Sequence, residues 1–287
     1  MKSSITRRIA AGLAVAAFGV GLAGCSSTAD KKTETDAANG ASSDLVEVVV
    51  GASPSPHAKI LKHLEDTGAA AEAGITLKIV EFTDYVKPNE ALQAKELDAN
   101  FFQTVPYLES ESESRGFEFE AGEGIHLEPL AIYSSNLKSL ADVKEGAKIG
   151  VIQDVTNQGR ALKLLADNDF ITLPSGVEAS VVNLKADASA NPKNFEFLEV
   201  DGPMLVRALQ DVDIAVINGN FAQEGGLSPA DALAVESADN NPSVNVLVWR
   251  KGDASEGVKK LDELLHSAKT KSYIEETWAD KSVIPAF

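Results

Sequence analysis

Arg160 is one of only four arginines beyond Arg8, the others being Arg115, Arg207 and Arg250. It lies in Asp154-Val155-Thr156-Asn157-Gln158-Gly159-Arg160-Ala161-Leu162, between an apolar run over 148–152 and a helical pattern over 157–167. In the first turn of that helix, its guanidinium would add two parallel hydrogen bonds to an anion that the helix dipole and free N–H groups already favour. A surface position paired to Asp154 or Asp167 is the plainer alternative. Asn218 closes the run Ala215-Val216-Ile217, and Asn245 opens the apolar run over 244–249. An amide accepts from an ammonium and donates to a carboxylate at once, and asparagine is equally a common turn residue. Tyr85 and Phe102 could form flat apolar walls or fill a core. Phe101 and Phe102 are adjacent on an expected strand, so no more than one of them can face a cleft. A cation, two amides and aromatic walls would suit a small zwitterion with an apolar side chain, held in a dry cleft.

Other chemistries lack their residues. The histidines, His57, His63, His126 and His266, form no HxH or HExxH pair, so a multi-His metal site is not expected. A single cysteine leaves no Cys-based metal site and no disulfide. Residues 150–159 carry no GxGxxG or P-loop pattern, so no nucleotide site is inferred there. Ser53, Ser55 and His57 lie close in sequence, but no GxSxG elbow accompanies them. Glu109, Glu111 and Glu113 read as a solvated acidic run. Tyr107, Tyr133 and His126 read as packing or rim residues, with His126 a candidate for a cleft entrance. The formal net charge of −17 argues against nucleic acid, whose phosphates need clustered Lys and Arg.

The N-terminus carries an address. Lys2, Arg7 and Arg8 precede an uncharged apolar stretch over 9–24. That stretch falls short of the about 20 residues a membrane span needs and has the order of a secretory signal peptide. It ends Leu22-Ala23-Gly24-Cys25, which resembles the bacterial lipobox, with Cys25 as the lipidated residue. Residues 26–43 contain no large apolar side chain. They read as a tether spanning roughly 20–25 Å as a coil.

The elements that must position the polar residues alternate. Strands are expected over 45–50, 75–82, 98–102, 117–120, 127–134, 148–152, 195–200, 213–217 and 244–249. Helices are expected over 56–73, from Pro88 onward, and over 105–114, 157–167, 204–209, 256–268 and 271–278. Repeated strand–helix alternation implies open, largely parallel sheets with helices on their faces. In such sheets a ligand sits beyond the carboxyl ends of the strands, where the polar segments fall.

Phe82-Thr83-Asp84-Tyr85-Val86-Lys87-Pro88-Asn89-Glu90-Ala91-Leu92, the segment from Asp98 to Leu108, Thr156 to Leu162, Asn191 to Asn194, Ala215 to Asn218 and Asn241 to Asn245 occur in this order behind the lipobox. Together they resemble the NlpA/MetQ family, methionine-binding lipoproteins of ABC importers. The resemblance implies an α/β, two-lobed fold of the periplasmic-binding-protein type (type II-like), each lobe an open, mostly parallel sheet flanked by helices. Residues 44–133 plus 245–287 would form one lobe and 134–244 the other, after a signal peptide over 1–24 and a lipidated tether over 25–43. It implies ligand contacts from Tyr85, Phe102, Thr104, Arg160, Asn218 and Asn245. The family usually has histidine where Thr104 stands, beside the side-chain pocket. A methionine-containing dipeptide or another apolar amino acid is therefore an alternative ligand. Implied partners are methionine, a membrane permease and its ATPase, and a membrane reached through lipid on the extracytoplasmic face. No cofactor, metal, nucleic acid or catalysis is expected. An anchored enzyme or a surface lipoprotein outside transport are the rival readings.

Cys25→Ala should abolish lipidation and leave the protein released or unprocessed. Fractionation checks this; full membrane partitioning of the variant, with no free precursor, would contradict the lipobox reading.

Overall fold

The computed structural model describes residues 45–173 and 175–287. The expected leader, Cys25 and the tether lie outside the described residues. The chain runs β1 (Val46–Ala52), α1 (His57–Asp66), α2 (Ala69–Glu72), β2 (Ile75–Glu81), α3 (Lys87–Gln93), β3 (Ala99–Thr104), α4 (Val105–Arg115) and β4 (Phe119–Leu127). It continues with β5 (Ala131–Tyr133), β6 (Lys148–Ile152), α5 (Val155–Asp167), α6 (Val181–Ala186), β7 (Glu196–Val200), α7 (Leu205–Ala208), β8 (Ile214–Ile217), α8 (Gly219–Glu224) and β9 (Ala234–Val235). It ends with β10 (Val244–Arg250), α9 (Glu256–Leu265), α10 (Ala268–Thr277) and β11 (Ile284–Pro285).

Two sheets result, in the orders β11-β4-β10-β3-β1-β2 and β7-β6-β8-β5-β9. Each is covered on both faces. In the first sheet Val48 and Val50 pack against Ile60, Leu61, Leu64, Val258 and Leu261. The opposite face carries Val49, Leu92, Leu97, Leu108, Val246 and Val248. Period-two alternation along β1 thus feeds two helix layers. The second sheet buries Ile149 and Val151 against Leu162, Leu165, Val181 and Leu184. Its other face packs Ile217, Leu205 and Phe221 together.

The two-lobed α/β architecture agrees with the sequence reading, and the sheets are mixed. β1–β2, β1–β3, β6–β7 and β6–β8 pair in parallel. β10 pairs antiparallel with both β3 and β4, and β5 pairs antiparallel with β8 and β9. The reason lies in the connections. β5 and β10 are the strands at which the chain enters one sheet from the other, over 128–130 and 236–243. They are not joined to their neighbours by a βαβ unit, which is what enforces parallel pairing.

Several expected elements differ, and the strand expected over 117–120 begins at Phe119 and runs on to Leu127 as β4. The strand expected over 127–134 breaks at 128–130, where the chain leaves the first sheet for the second. The helix expected over 56–73 is two helices, because Gly68 adopts a left-handed φ of 76° and ends α1. The helix expected over 157–167 begins at Val155, because Asp154 caps it by accepting the Asn157 N–H at 2.8 Å. α5 itself is held by Ala161, Leu162, Leu164 and Leu165, all buried. Leu162→Ala should cost about 2–5 kcal/mol by removing buried volume that its neighbours cannot refill. Urea unfolding monitored by circular dichroism measures it.

Candidate functional site

Tyr85, Phe102, Thr104, Arg160, Asn218 and Asn245 come together around one cavity between the two sheets, joined by Tyr107, Glu128, Asn157 and Asn220. The chain reaches it from strand ends and crossovers. Thr104 ends β3 and caps α4, accepting from the Tyr107 N–H. Asn218 stands between β8 and α8, and Asn245 lies on β10 next to the crossover from the second sheet. β3 is locked to α3 behind the wall. There Asn89 donates to Gln103 Oε1 at 3.0 Å and accepts from Asn100 and Gln103.

One wall is aromatic. Tyr85 lies 6.0 Å from Phe102, 5.7 Å from Tyr107 and 4.9 Å from Phe221 between ring centroids. The Tyr107 hydroxyl donates to the Tyr85 carbonyl, and the Tyr85 hydroxyl donates to Asn220 Oδ1 at 2.6 Å. Burial raises both phenols well above their usual range, so both stay neutral. Phe101 points to the opposite face of β3, with its ring 4.7 Å from His57 and 5.3 Å from His126.

The remaining lining is polar and falls into two sets. Arg160 donates through Nε and Nη2 to Glu236 at 2.8 and 2.6 Å, and through Nη2 to the Glu128 carbonyl at 2.8 Å. Its Nη1 makes no hydrogen bond among the described residues. Arg160 therefore pairs with neither Asp154 nor Asp167. It also sits in the second turn of α5, not the first, so the helix end lends it little. Asn245 Oδ1 faces His57 Nε2 at 3.0 Å, which leaves its Nδ2 free. Asn220 Nδ2 is buried beside the Glu224 carboxylate and makes no well-aligned hydrogen bond among the described residues. These are donors. Two buried acceptors have no partner, Asn218 Oδ1 and Glu128 Oε2. Asn218 uses its Nδ2 on Asn157 Oδ1 at 2.8 Å.

The NlpA lipoprotein model matches residues 48–287. The chain belongs to the NlpA lipoprotein family. It is 43% identical over 252 residues to the methionine-binding lipoprotein MetQ of Bacillus subtilis, covering 86% of this chain and 90% of that protein. Among solved structures, it resembles a nutrient-binding protein from Burkholderia cenocepacia bound to methionine. The TM-score is 0.77 at 36% identity, covering 84% of this chain and all of the other. A periplasmic substrate-binding protein of an ABC transporter from Coxiella burnetii gives a TM-score of 0.76 at 36% identity, over 83% of this chain and 100% of that one.

Several lining or supporting residues of this NlpA chain escaped sequence reasoning. His126 is not at an entrance; it is fully buried and donates to Glu128 Oε1 at 2.9 Å. Tyr107 is part of the cavity wall, not of the packing behind it. Glu128 lies two residues beyond His126 in an otherwise apolar segment. A carboxylate in that apolar setting was the available signal, since a buried acid needs partners. The structure also brings His57 to Glu128, with Nε2 3.3 Å from Oε1. His57, His126 and Glu128 form a histidine–carboxylate cluster that scattered sequence positions had concealed. Its donors do not suit a metal. The imidazole Nε2 atoms are engaged with Glu128 and Asn245, and both Nδ1 atoms lack the outer partner that metal-bound histidines carry.

Arg160→Ala should leave Glu236 (side chain 15% exposed) without its countercharge. Removing one partner of such a pair costs about 3–5 kcal/mol. A lowered denaturant midpoint with native circular dichroism checks it, against an unchanged midpoint if the pair only decorates the surface.

Proposed function

We propose that this protein is the lipid-anchored substrate-binding component of an ABC importer, capturing methionine outside the cytoplasm. The observation that carries the reading is one cavity with unpartnered donors, unpartnered acceptors and an aromatic wall. The Arg160 Nη1 and Asn245 Nδ2 donors suit the ligand carboxylate. The Asn218 Oδ1 acceptor suits its ammonium. Tyr85, Phe102 and Tyr107 suit a thioether, since sulfur packs near aromatic ring edges at about 0.3–1.5 kcal/mol per contact. The methionine named for the Bacillus and Burkholderia relatives supports this choice. In this reading the protein is a binder rather than an enzyme.

The lobes would be about 44–128 plus 244–287 and 131–236, not divided at 133 and 245, since β5 (Ala131–Tyr133) pairs with β8 of the second sheet; they would close about the crossovers between them. Lipid on Cys25 would hold the body at the extracytoplasmic face of the membrane. A permease would receive the ligand, and its ATPase subunit would supply the energy.

A second reading has one observation in its favour. Thr104 also lines an adjoining hollow of about 980 Å³ with Asn157, Arg160, Glu236 and Ser243. A ligand longer than methionine, such as a methionine-containing dipeptide, could extend there. Calorimetry on protein freed of ligand by unfolding and refolding separates the two. Methionine should bind the wild type. Thr104→His should shift preference from dipeptide toward methionine by about 1 kcal/mol, on the scale of one hydrogen bond plus modest packing. Another amino acid binding where methionine does not would overturn the methionine reading.

A further inference from the structure

We infer that Glu128 supplies the negative charge that holds the ligand's ammonium group, making a free protonated amine a requirement of this site, with His57 and His126 as its positioning residues. The inference rests on the amino-acid reading above and adds a contact that neither the motifs nor the relatives' names assign.

The geometry is that of a carboxylate held by one oxygen and free at the other. Glu128 is only 5% exposed and lines the cavity. Its Oε1 accepts from His126 Nε2 at 2.9 Å and lies 3.3 Å from His57 Nε2. Burial lowers these imidazoles to about 3 and about 4, so both are neutral near pH 7. Each then carries its proton on Nε2, where an acceptor stands, and leaves Nδ1 bare. His57 also faces Asn245 Oδ1, so Asn245 and Glu128 are oriented by one ring. Gly219 closes the arrangement from the side. A Cβ there would stand 2.8 Å from Glu128 Cβ, so only glycine lets α8 approach this closely.

What remains is Oε2, buried and without a partner. A desolvated carboxylate oxygen is costly unless a donor arrives. Desolvation accordingly pushes the Glu128 carboxyl up to about 7. Within the same cavity, Arg160 already answers negative charge, and Asn218 Oδ1 is the other unpartnered acceptor. A zwitterion satisfies both ends. An anion without the amine would meet ionised Glu128 as a like charge. An acylated amine would bring bulk and no positive charge. The groups facing Glu128 are His57 from α1, His126 on β4, Tyr85 from the β2–α3 loop, Arg160 from α5 and Glu224 from α8. Glu236 stands behind Arg160. Of these, Glu224 is also raised to about 7, by burial first.

The sign of the pH dependence follows. Ligand ammonium binds ionised Glu128, so methionine affinity should weaken as pH falls through about 7. A carboxylate lacking the amine should bind more tightly over the same range, as Glu128 loses its charge.

The test uses the refolded wild-type body, L-methionine and 4-methylthiobutanoate, which keeps the carboxylate and thioether but has no amine. Calorimetry between about pH 7.5 and 5.5 should give slopes of opposite sign for the two ligands, since only one carries the charge that Glu128 answers. At pH 7.5, Glu128→Gln should weaken methionine by about 30-fold or more, as expected for losing a desolvated charge partner, and should tighten 4-methylthiobutanoate while flattening its pH slope. Glu224→Gln should keep the opposite slopes. His126→Leu removes a donor to the charged form and should move the midpoint of the methionine profile to higher pH. If Glu128→Gln does not fold, the wild-type slopes decide. Equal slopes for the two ligands, or undiminished methionine affinity in folded Glu128→Gln, would overturn the inference and leave the methionine reading standing. Absence of methionine binding to the wild type at every pH would overturn both.

Discussion

The guanidinium of Arg160 lies between the two stretches of chain that join the sheets. It reaches the Glu128 carbonyl on the 128–130 crossover and the Glu236 carboxylate on the 236–243 crossover. Glu236 in turn accepts the Leu130 N–H at 3.0 Å, closing a loop between both crossovers. Three groups on three elements are thereby fixed in a mostly desolvated place. Bidentate pairing supplies direction as well as attraction, and a partner lost from such a pair is costly. In the proposed reading, the residue that would meet a ligand carboxylate also braces the connection between the sheets, so ligand charge and lobe geometry would meet at one side chain.

From that brace the polarity of the cavity follows. α5 brings Arg160 and Asn157 from one side, while β10 and β3 bring Asn245, Phe102 and Thr104 from the other. The donors of Arg160, Asn220 and Asn245 and the acceptors of Asn218 and Glu128 sit on side chains held through another atom, which leaves one polar atom unused on each among the described residues. Unpartnered buried polar atoms are costly in isolation. A concentration of them in one aromatic-walled cavity is what a preorganised polar ligand site requires.

Much of this was legible in the chain. The strands expected over 45–50, 75–82 and 213–217 appear as β1, β2 and β8. Adjacency of Phe101 and Phe102 demanded opposite faces, and the structure turns Phe102 to the cavity and Phe101 to the histidines. Asn218 and Asn245 stood out as polar residues at strand ends, and Arg160 as a cation near the start of an expected helix. What stayed hidden shares a physical cause. The Arg160–Glu236 pair spans 76 positions, and His57 and Glu128 meet only through tertiary packing, so no local period announces either. α6, α8 and β9 are too short for periodicity to show. The start of α5 was set by the Asp154 cap, which outweighed the apolar pattern and, by adding two residues, moved Arg160 from the first turn to the second.

A co-crystal structure of the refolded protein with L-methionine would test the central claim most directly. The account places the carboxylate about 2.7–2.9 Å from Arg160, at charge-assisted hydrogen-bond distance. The ammonium should lie against Asn218 Oδ1 and Glu128 Oε2, and the thioether among Tyr85, Phe102 and Tyr107. Methionine bound with its ammonium toward Arg160, or found outside the cavity, would contradict it.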